Sequence, residues 1–315
     1  MAKRPSQLLK ENPFVLAPMD DVTDIAFREL AEECGVSYST CELTSVDALV
    51  RDKVKYDRYA RGKLQYSSVQ LFGSKPGVFV EAANKILDDA DSIDVNFGCP
   101  SACVNANDAG AMLLKDPKNV GEIISKLVKH VDRPITAKIR LGYKKTTYRE
   151  VAREIEDAGA DVLAVHGRTA EQKYSGFANW DAIKEIYENT QIPFIGNGDI
   201  KDPKQIDDYL GTHCDALMIG RAAIGNPMIF DDFNRYHKRG EIVDLSNDEK
   251  KQRQKELFLK YLEKLSHYDV AKQHQRIWRQ AMWFFKGIEG AKKLRVAVVE
   301  AKDDLDKVIQ LVKEF

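Results

Sequence analysis

Phe194-Ile195-Gly196-Asn197-Gly198-Asp199 and Ala216-Leu217-Met218-Ile219-Gly220-Arg221 are short apolar runs, each ending in a glycine turn that carries a charged residue. A run this short, bounded this way, reads as a strand buried on both faces, as in parallel sheets. Working back toward the N-terminus, six more such runs occur at 14–17, 39–43, 68–71, 93–96, 135–139 and 162–166. Helix-like segments lie between them at 24–33, 76–87, 119–130, 148–158, 181–188 and 203–209. Eight βα units within roughly 230 residues match a (β/α)8 or TIM barrel in count and length. The competing arrangement, a doubly wound open sheet, rarely needs eight parallel strands.

Beyond Asn226-Pro227 the strand pattern stops. Ser246 followed by Glu249 is a capping-box signal that opens a helix reaching about residue 267, with further helical stretches over 270–287 and 303–313. The expected organisation is therefore a catalytic barrel over 1–239 followed by a small all-α domain over 240–315.

Hydrophobic content of 43% and charged content of 31% describe an ordinary globular chain rather than a disordered one. No apolar run approaches the ~18–20 residues that span a bilayer, and the N-terminus lacks the apolar core of a signal peptide. A cytoplasmic, monomeric protein with no membrane association and no evident protein partner is the expectation. The five cysteines lack the paired short spacings of a zinc site, so free thiols and no metal are expected. The net charge of −1 hides an asymmetry: residues 250–302 hold 14 Lys or Arg against 5 Asp or Glu, a balance of +9, so the rest carries −10. A basic segment on an acidic body suits polyanion binding by one face, and equally a solvated helical surface.

Barrel chemistry belongs at the C-terminal strand ends. Here those ends present Ala17-Pro18-Met19, Gln70, Asn96-Phe97-Gly98-Cys99-Pro100, Lys138 with Arg140, His166-Gly167-Arg168, Asn197-Gly198-Asp199 and Gly220-Arg221. Glycine turns after the seventh and eighth strands are where barrels hold phosphate, because backbone N–H groups approach the anion closely there. Arg221 would add a charge-assisted contact. Lys138 on an inward strand end is costly to bury without an anion, which could be a reduced flavin or a neighbouring carboxylate. His166 is either a packed hydrogen-bonding residue or a ligand contact. Cys99, between glycine and proline, is either a small core thiol or a general acid, since a thiol of pKa ~8.5 is mostly protonated at neutral pH.

These motifs, in this order, resemble the tRNA-dihydrouridine synthase family. The resemblance covers nearly the whole chain and includes Gln70-Leu71-Phe72-Gly73, Gly110-Ala111-Met112-Leu113-Leu114, Lys138-Ile139-Arg140 and Gly225-Asn226-Pro227. It implies a barrel that binds FMN, NADPH as electron donor, and a C-terminal helical domain that grips tRNA. Ala17, Pro18, Met19 and Gln70 would then line the isoalloxazine. Lys138 would lie at its pyrimidine edge and His166 beside it, while Asn197, Gly198, Asp199, Gly220 and Arg221 would hold the phosphate end. Asn96 and Arg168 would contact the substrate nucleotide, with Cys99 protonating carbon 5 of the uracil as carbon 6 receives hydride. Arg279, Lys286, Lys292, Lys293 and Arg295, within the segment from Arg276 to Arg295, would contact tRNA phosphates. Trp278, Trp283, Phe284 and Phe285 are expected in the helical core, with base-stacking platforms as the alternative.

Three positions depart from the family pattern. Ser101, Ala102 and Cys103 follow the Gly-Cys-Pro turn where lysines are common, Met228 stands where an aromatic often follows Asn-Pro, and Gln280 replaces a frequent histidine. Two rival readings are a flavin barrel acting on a small pyrimidine or enone, with the helices as a cap, and a non-catalytic RNA-binding protein on a degenerate barrel.

Overall fold

Alternation along each strand decides which side chains enter the barrel and which face the helices. In the computed structural model, which describes residues 3–269, 273–301 and 304–315, the strands are β1 (Phe14–Leu16), β2 (Ser39–Thr40), β3 (Thr44–Ser45), β4 (Ser67–Phe72), β5 (Ser92–Phe97), β6 (Ile135–Arg140), β7 (Val162–His166), β8 (Phe194–Asn197) and β9 (Ala216–Ile219). All pair in parallel, and the ring closes because β1 joins β9 on one side and β2 on the other, while β2 joins β4. Both β2 and β3 pair with β4, so together they fill one position of an eight-strand barrel.

The single run expected over 39–43 is thus broken. Cys41 still donates its N–H to Ser68 at 3.0 Å, but the chain then turns to aim the buried Glu42 carboxylate at Arg276 of the C-terminal helices. A polar side chain seeking its partner interrupts the ladder.

The outward residues of the strands, such as Ile93, Val95, Phe97, Ile139, Val165 and Leu217, pack under the helices as the larger core. Inward residues form a smaller one, including Val15, Tyr38, Tyr66, Val162, Ile195 and Ala216, which Leu9 of the N-terminal helix Pro5–Glu11 closes from below. Above that plug the inward positions turn polar, with Gln70, Asp94, Asn96, Lys138, His166 and Asn197. The barrel is consequently filled at the bottom and open at the top.

The helix expected from residue 24 runs Ile25–Glu33, with Asp24 as its N-cap accepting the Phe27 N–H at 2.9 Å. After the barrel come helices Ile229–Arg239, Asn247–Ser266, Gln273–Phe284, Ala291–Glu300 and Leu305–Glu314. The Ser246–Glu249 capping box forms as the sequence predicts. Positions 270–272 and 303 of the expected helices lie outside the described residues. Ala291–Glu300 is a separate helix that the apolar pattern did not isolate; Gly287 and Gly290, both with positive φ, break the chain before it.

Buried residues of these helices, among them Leu257, Phe258, Tyr261 and Phe284, belong to the same apolar cluster as the outer barrel. One contact needs glycine. A Cβ on Gly225 (φ +68°) would lie 2.4 Å from the Trp283 backbone, so the Gly225-Asn226-Pro227 turn rests directly on helix Gln273–Phe284. Among the described residues no helix is long and apolar enough to cross a membrane.

Candidate active site

The open top of the barrel is a cavity of about 1130 Å3. Ala17, Pro18, Met19, Gln70, Asn96, Cys99, Lys138, His166, Asn197, Gly198, Asp199, Gly220 and Arg221 all line it. Single small-molecule pockets run to about 300–1,000 Å3, so this one has room for a cofactor and a second, flat group.

At one end lie the two glycine turns. Gly198 has φ +134°, and a Cβ there would sit 2.5 Å from the Ala178 Cβ, so only glycine fits. Trp180 stacks on Tyr209 at 3.8 Å and donates its indole N–H to the Gly198 carbonyl at 3.1 Å, holding the turn from outside. Asp199, itself at φ +57°, accepts from Arg221 at 2.8 Å, from Arg168 at 2.7 and 2.9 Å and from the Ala178 N–H at 2.8 Å. Burial works against its charge, but the Ala178 N–H and these guanidiniums outweigh it and hold the carboxyl below its usual pKa. The same carboxylate fixes the direction of Arg221, whose side chain remains half exposed.

Arg168 is buried rather than cavity-lining. Besides Asp199, it donates to the carbonyls of Ser175 (3.2 Å) and Gly176 (2.7 Å) and lies 3.3 Å from His166 Nε2. A guanidinium can only donate, so Nε2 accepts and His166 carries its proton on Nδ1. Burial, with Lys138, Arg140, Arg168 and Arg221 around it, pushes the imidazole pKa far below its usual value and keeps it neutral.

Lys138 lines the same cavity. Burial and Arg140 lower its pKa to about 8, against the pull of Asp94. The two Asp94 oxygens are engaged elsewhere, accepting from Thr136 Oγ1 at 2.6 Å and Gln70 Nε2 at 2.7 Å. Gln70 Oε1 accepts in turn from Asn96 Nδ2 at 2.8 Å.

Cys99 sits on the turn after β5. Asn96 Oδ1 accepts the N–H groups of Gly98 (3.0 Å) and Cys99 (2.8 Å), and Arg140 donates to the Gly98 carbonyl at 2.9 Å. Burial raises the thiol pKa, so it stays protonated at neutral pH and can give a proton to a group in the cavity.

Tyr174 and Phe177, not singled out in the sequence, also line the cavity. They stand on the loop that Arg168 pins, Tyr174 with Arg221 at 4.8 Å and Arg140 at 5.8 Å, and Phe177 89% exposed at the mouth. No periodicity marks an irregular loop; only its neighbours in space reveal it.

The basic positions of the C-terminal segment divide. Arg279 pairs with Asp21, Lys286, Lys292 and Lys293 are exposed, and Arg295 is half-buried with an Nε that meets no acceptor among the described residues. Phe284 and Phe285 are buried, Trp278 and Trp283 partly so, all packed in the core. Gln280 is fully buried and donates to the Val22 carbonyl at 3.0 Å, beside the cavity rim.

The dihydrouridine synthase family model matches residues 15–315. A tRNA-dihydrouridine synthase B of Proteus vulgaris is 41% identical over 249 residues, 76% of each chain. A probable tRNA-dihydrouridine synthase of Aquifex aeolicus is 33% identical over 315 residues, 97% of each chain. Among solved structures, the old yellow enzyme homologue of Zymomonas mobilis superposes with a TM-score of 0.50 at 11% identity, covering 74% of this chain and 90% of that one, a likeness of fold.

Proposed function

This chain belongs to the dihydrouridine synthase family, a flavin-dependent oxidoreductase lineage, and we propose that it reduces the 5,6 double bond of a uridine in tRNA, with FMN in the barrel mouth and NADPH as reductant. The observation that carries this reading is the shared cavity: a protonated thiol, a fixed cation, a neutral imidazole and two glycine cradles face one space with room for two ligands.

The residues fit FMN. Gly198 and Gly220 leave backbone free to approach a phosphate, Arg221 is oriented toward that end by Asp199, and Lys138 is a desolvated cation lacking a full counter-charge. When bound, FMN supplies the hydride that carbon 6 of the uracil accepts, having taken it from NADPH. Lys138 favours negative charge at the flavin pyrimidine edge. His166 offers a neutral N–H rather than a second charge. Ala17, Pro18, Met19 and Gln70 form the wall against the rings, and Asn197 lies at the phosphate side.

Cys99 holds the proton for carbon 5, and the rise in its pKa keeps that proton in place until the base arrives. The uridine must leave its stack to reach the thiol. Residues 1–239 form the catalytic unit and 240–315 the tRNA-gripping one, with Lys286, Lys292, Lys293 and Arg295 contacting phosphates. Asn96 acts on the nucleotide mainly through the Cys99 turn, and Arg168 through the loop bearing Tyr174 and Phe177.

The test is to incubate the FMN-loaded protein with NADPH and unmodified tRNA, then measure dihydrouridine. The parent converts uridine, whereas Cys99→Ala keeps FMN and tRNA binding but loses about 10²–10⁴-fold in turnover. Conversion by Cys99→Ala at the parent rate sinks the proton-donor role. Activity on free uracil or an enone, with none on tRNA, favours the small-substrate reading.

A further inference from the structure

Four side chains from three adjacent strands form one directed chain of hydrogen bonds beneath the cavity. Thr136 on β6 and Gln70 on β4 both donate to Asp94 on β5, at 2.6 and 2.7 Å. Gln70 Oε1 then accepts from Asn96 Nδ2 at 2.8 Å, and Asn96 Oδ1 accepts the Gly98 and Cys99 N–H groups at 3.0 and 2.8 Å. The strand register places Gln70 opposite Asp94 and Asp94 opposite Thr136.

The direction of this chain is fixed at its two ends, by the Asp94 carboxyl group and by the turn's backbone N–H groups, which can only donate. A side-chain amide alone can turn over, exchanging its oxygen and nitrogen at little steric cost. Burial raises the Asp94 pKa, while a donor on each oxygen (Thr136 Oγ1 and Gln70 Nε2) and the nearby Lys138 charge favour the carboxylate. With Thr136 on one oxygen and no proton of its own to donate, Asp94 admits the nitrogen end of Gln70. That choice turns Gln70 Oε1 toward Asn96, which must answer with its own nitrogen. Asn96 Oδ1 is then left facing the turn, where two backbone N–H groups need an acceptor. We propose that Asp94 is a positioning residue that fixes the Gly98–Cys99 turn, and with it the direction of the Cys99 thiol, through Gln70 and Asn96.

Asp94, Gln70 and Asn96 are all buried, so water cannot readily substitute at any joint. Arg140 holds the other side of the same peptide by donating to the Gly98 carbonyl. The turn is thereby gripped at its N–H groups from the Asp94 side and at its carbonyl from the Arg140 side. The consequence for turnover rests on the proposed proton-donor role of Cys99; the effect on the turn does not.

The experiment uses full-length, FMN-loaded protein and reads amide hydrogen exchange at Gly98 and Cys99, together with the rates of flavin reduction by NADPH and of uridine reduction in tRNA. Gln70→Met cuts the relay in the middle, and Asp94→Leu removes its carboxyl end. Both are expected to raise exchange at these two amides by roughly 3- to 10-fold, the loss of an ordinary hydrogen bond. Exchange at other β5 amides stays unchanged. Uridine reduction falls roughly 10- to 100-fold, and further than flavin reduction, as the thiol loses its aim. Asp94→Asn, which keeps an acceptor in one of its two orientations, lies between parent and Asp94→Leu. Parent-like exchange at Gly98 and Cys99 in Gln70→Met overturns the proposal even if Asp94→Leu does not fold. Raised exchange with parental uridine reduction supports the hold on the turn and overturns its part in aiming the thiol.

Discussion

Arg276, on a helix of the C-terminal region, grips Glu42 at the top of the barrel through two parallel hydrogen bonds of 3.0 and 2.9 Å. Both side chains are buried, Arg276 also lies 3.6 Å from Asp24, and Tyr261 donates to that same Asp24 at 2.9 Å. Leu43, next to Glu42, and Met19 and Val22, just before Asp24, belong to the cavity rim. The helices are therefore fastened to the part of the barrel that rims the cavity. Removing one partner strands a buried charge, so Arg276→Met should cost about 3–5 kcal/mol in denaturant unfolding. The double variant with Glu42→Gln should recover part of that loss; strict additivity would show that the two do not act as a pair.

His166 should make the protein acid-sensitive without titrating in the native state. Its folded pKa lies below the unfolded value of about 6.5, so the unfolded chain binds the extra proton. Its contribution is present above about pH 6.5 and declines as pH falls further. Stability measured from pH 7 to 5 should drop less in His166→Gln than in the parent, and an imidazole NMR titration should show no native midpoint for His166 between pH 5 and 8.

Lys138 carries the opposite edge of the pH range. Its folded pKa of about 8 lies below the unfolded value of about 10.4, so the unfolded state holds more protons between the two and stability gains with rising pH there. Anion binding depends on the charged form and so weakens as pH rises through about 8. Affinity of the parent for reduced FMN should fall over that range and that of Lys138→Met should be lower and flat. A bound anion raises the midpoint, which a titration with and without reduced FMN will display.

Gly225→Ala should loosen the seat of helix Gln273–Phe284. The new methyl would meet the Trp283 backbone at 2.4 Å, and φ +68° is already unfavourable for alanine. Strain of about 1–3 kcal/mol is expected in unfolding experiments. Gly211→Ala, at φ +75° with nothing within 4 Å of the added atom, isolates the backbone part of the penalty.

Charge reversal at the exposed Lys292 and Lys293 should weaken tRNA binding and lower the magnitude of its salt-dependence slope by roughly 0.7–0.9 for each phosphate no longer neutralised. Reversal at Arg279 should do less, because Asp21 already engages it. An unchanged slope in the Lys292 and Lys293 variant would assign that face to solvent.

The barrel was legible in the chain because its causes are local. Short apolar runs such as Ile135–Arg140 and Phe194–Asn197 read as strands covered on both sides, and the glycines after β8 and β9 mark turns, the first of which a side chain would obstruct. Residues at strand ends were legible for the same reason: position along a strand decides which end of the barrel a side chain occupies. What each of them touches depends on the register between strands far apart in sequence. The family resemblance implies Arg168 as a substrate contact, and no sequence pattern shows that its donors go to Asp199 and the loop carbonyls of Ser175 and Gly176. Asp94 reads as one more residue within a strand, yet with the turn's N–H groups it sets the polarity of Gln70 and Asn96. Glu42 finds Arg276 across 234 residues of chain. The sequence by itself determined the barrel, its open end and the residues that reach it. Only the tertiary structure decided which of those residues line the cavity and which hold one another, because a hydrogen bond is decided by distance and direction in space.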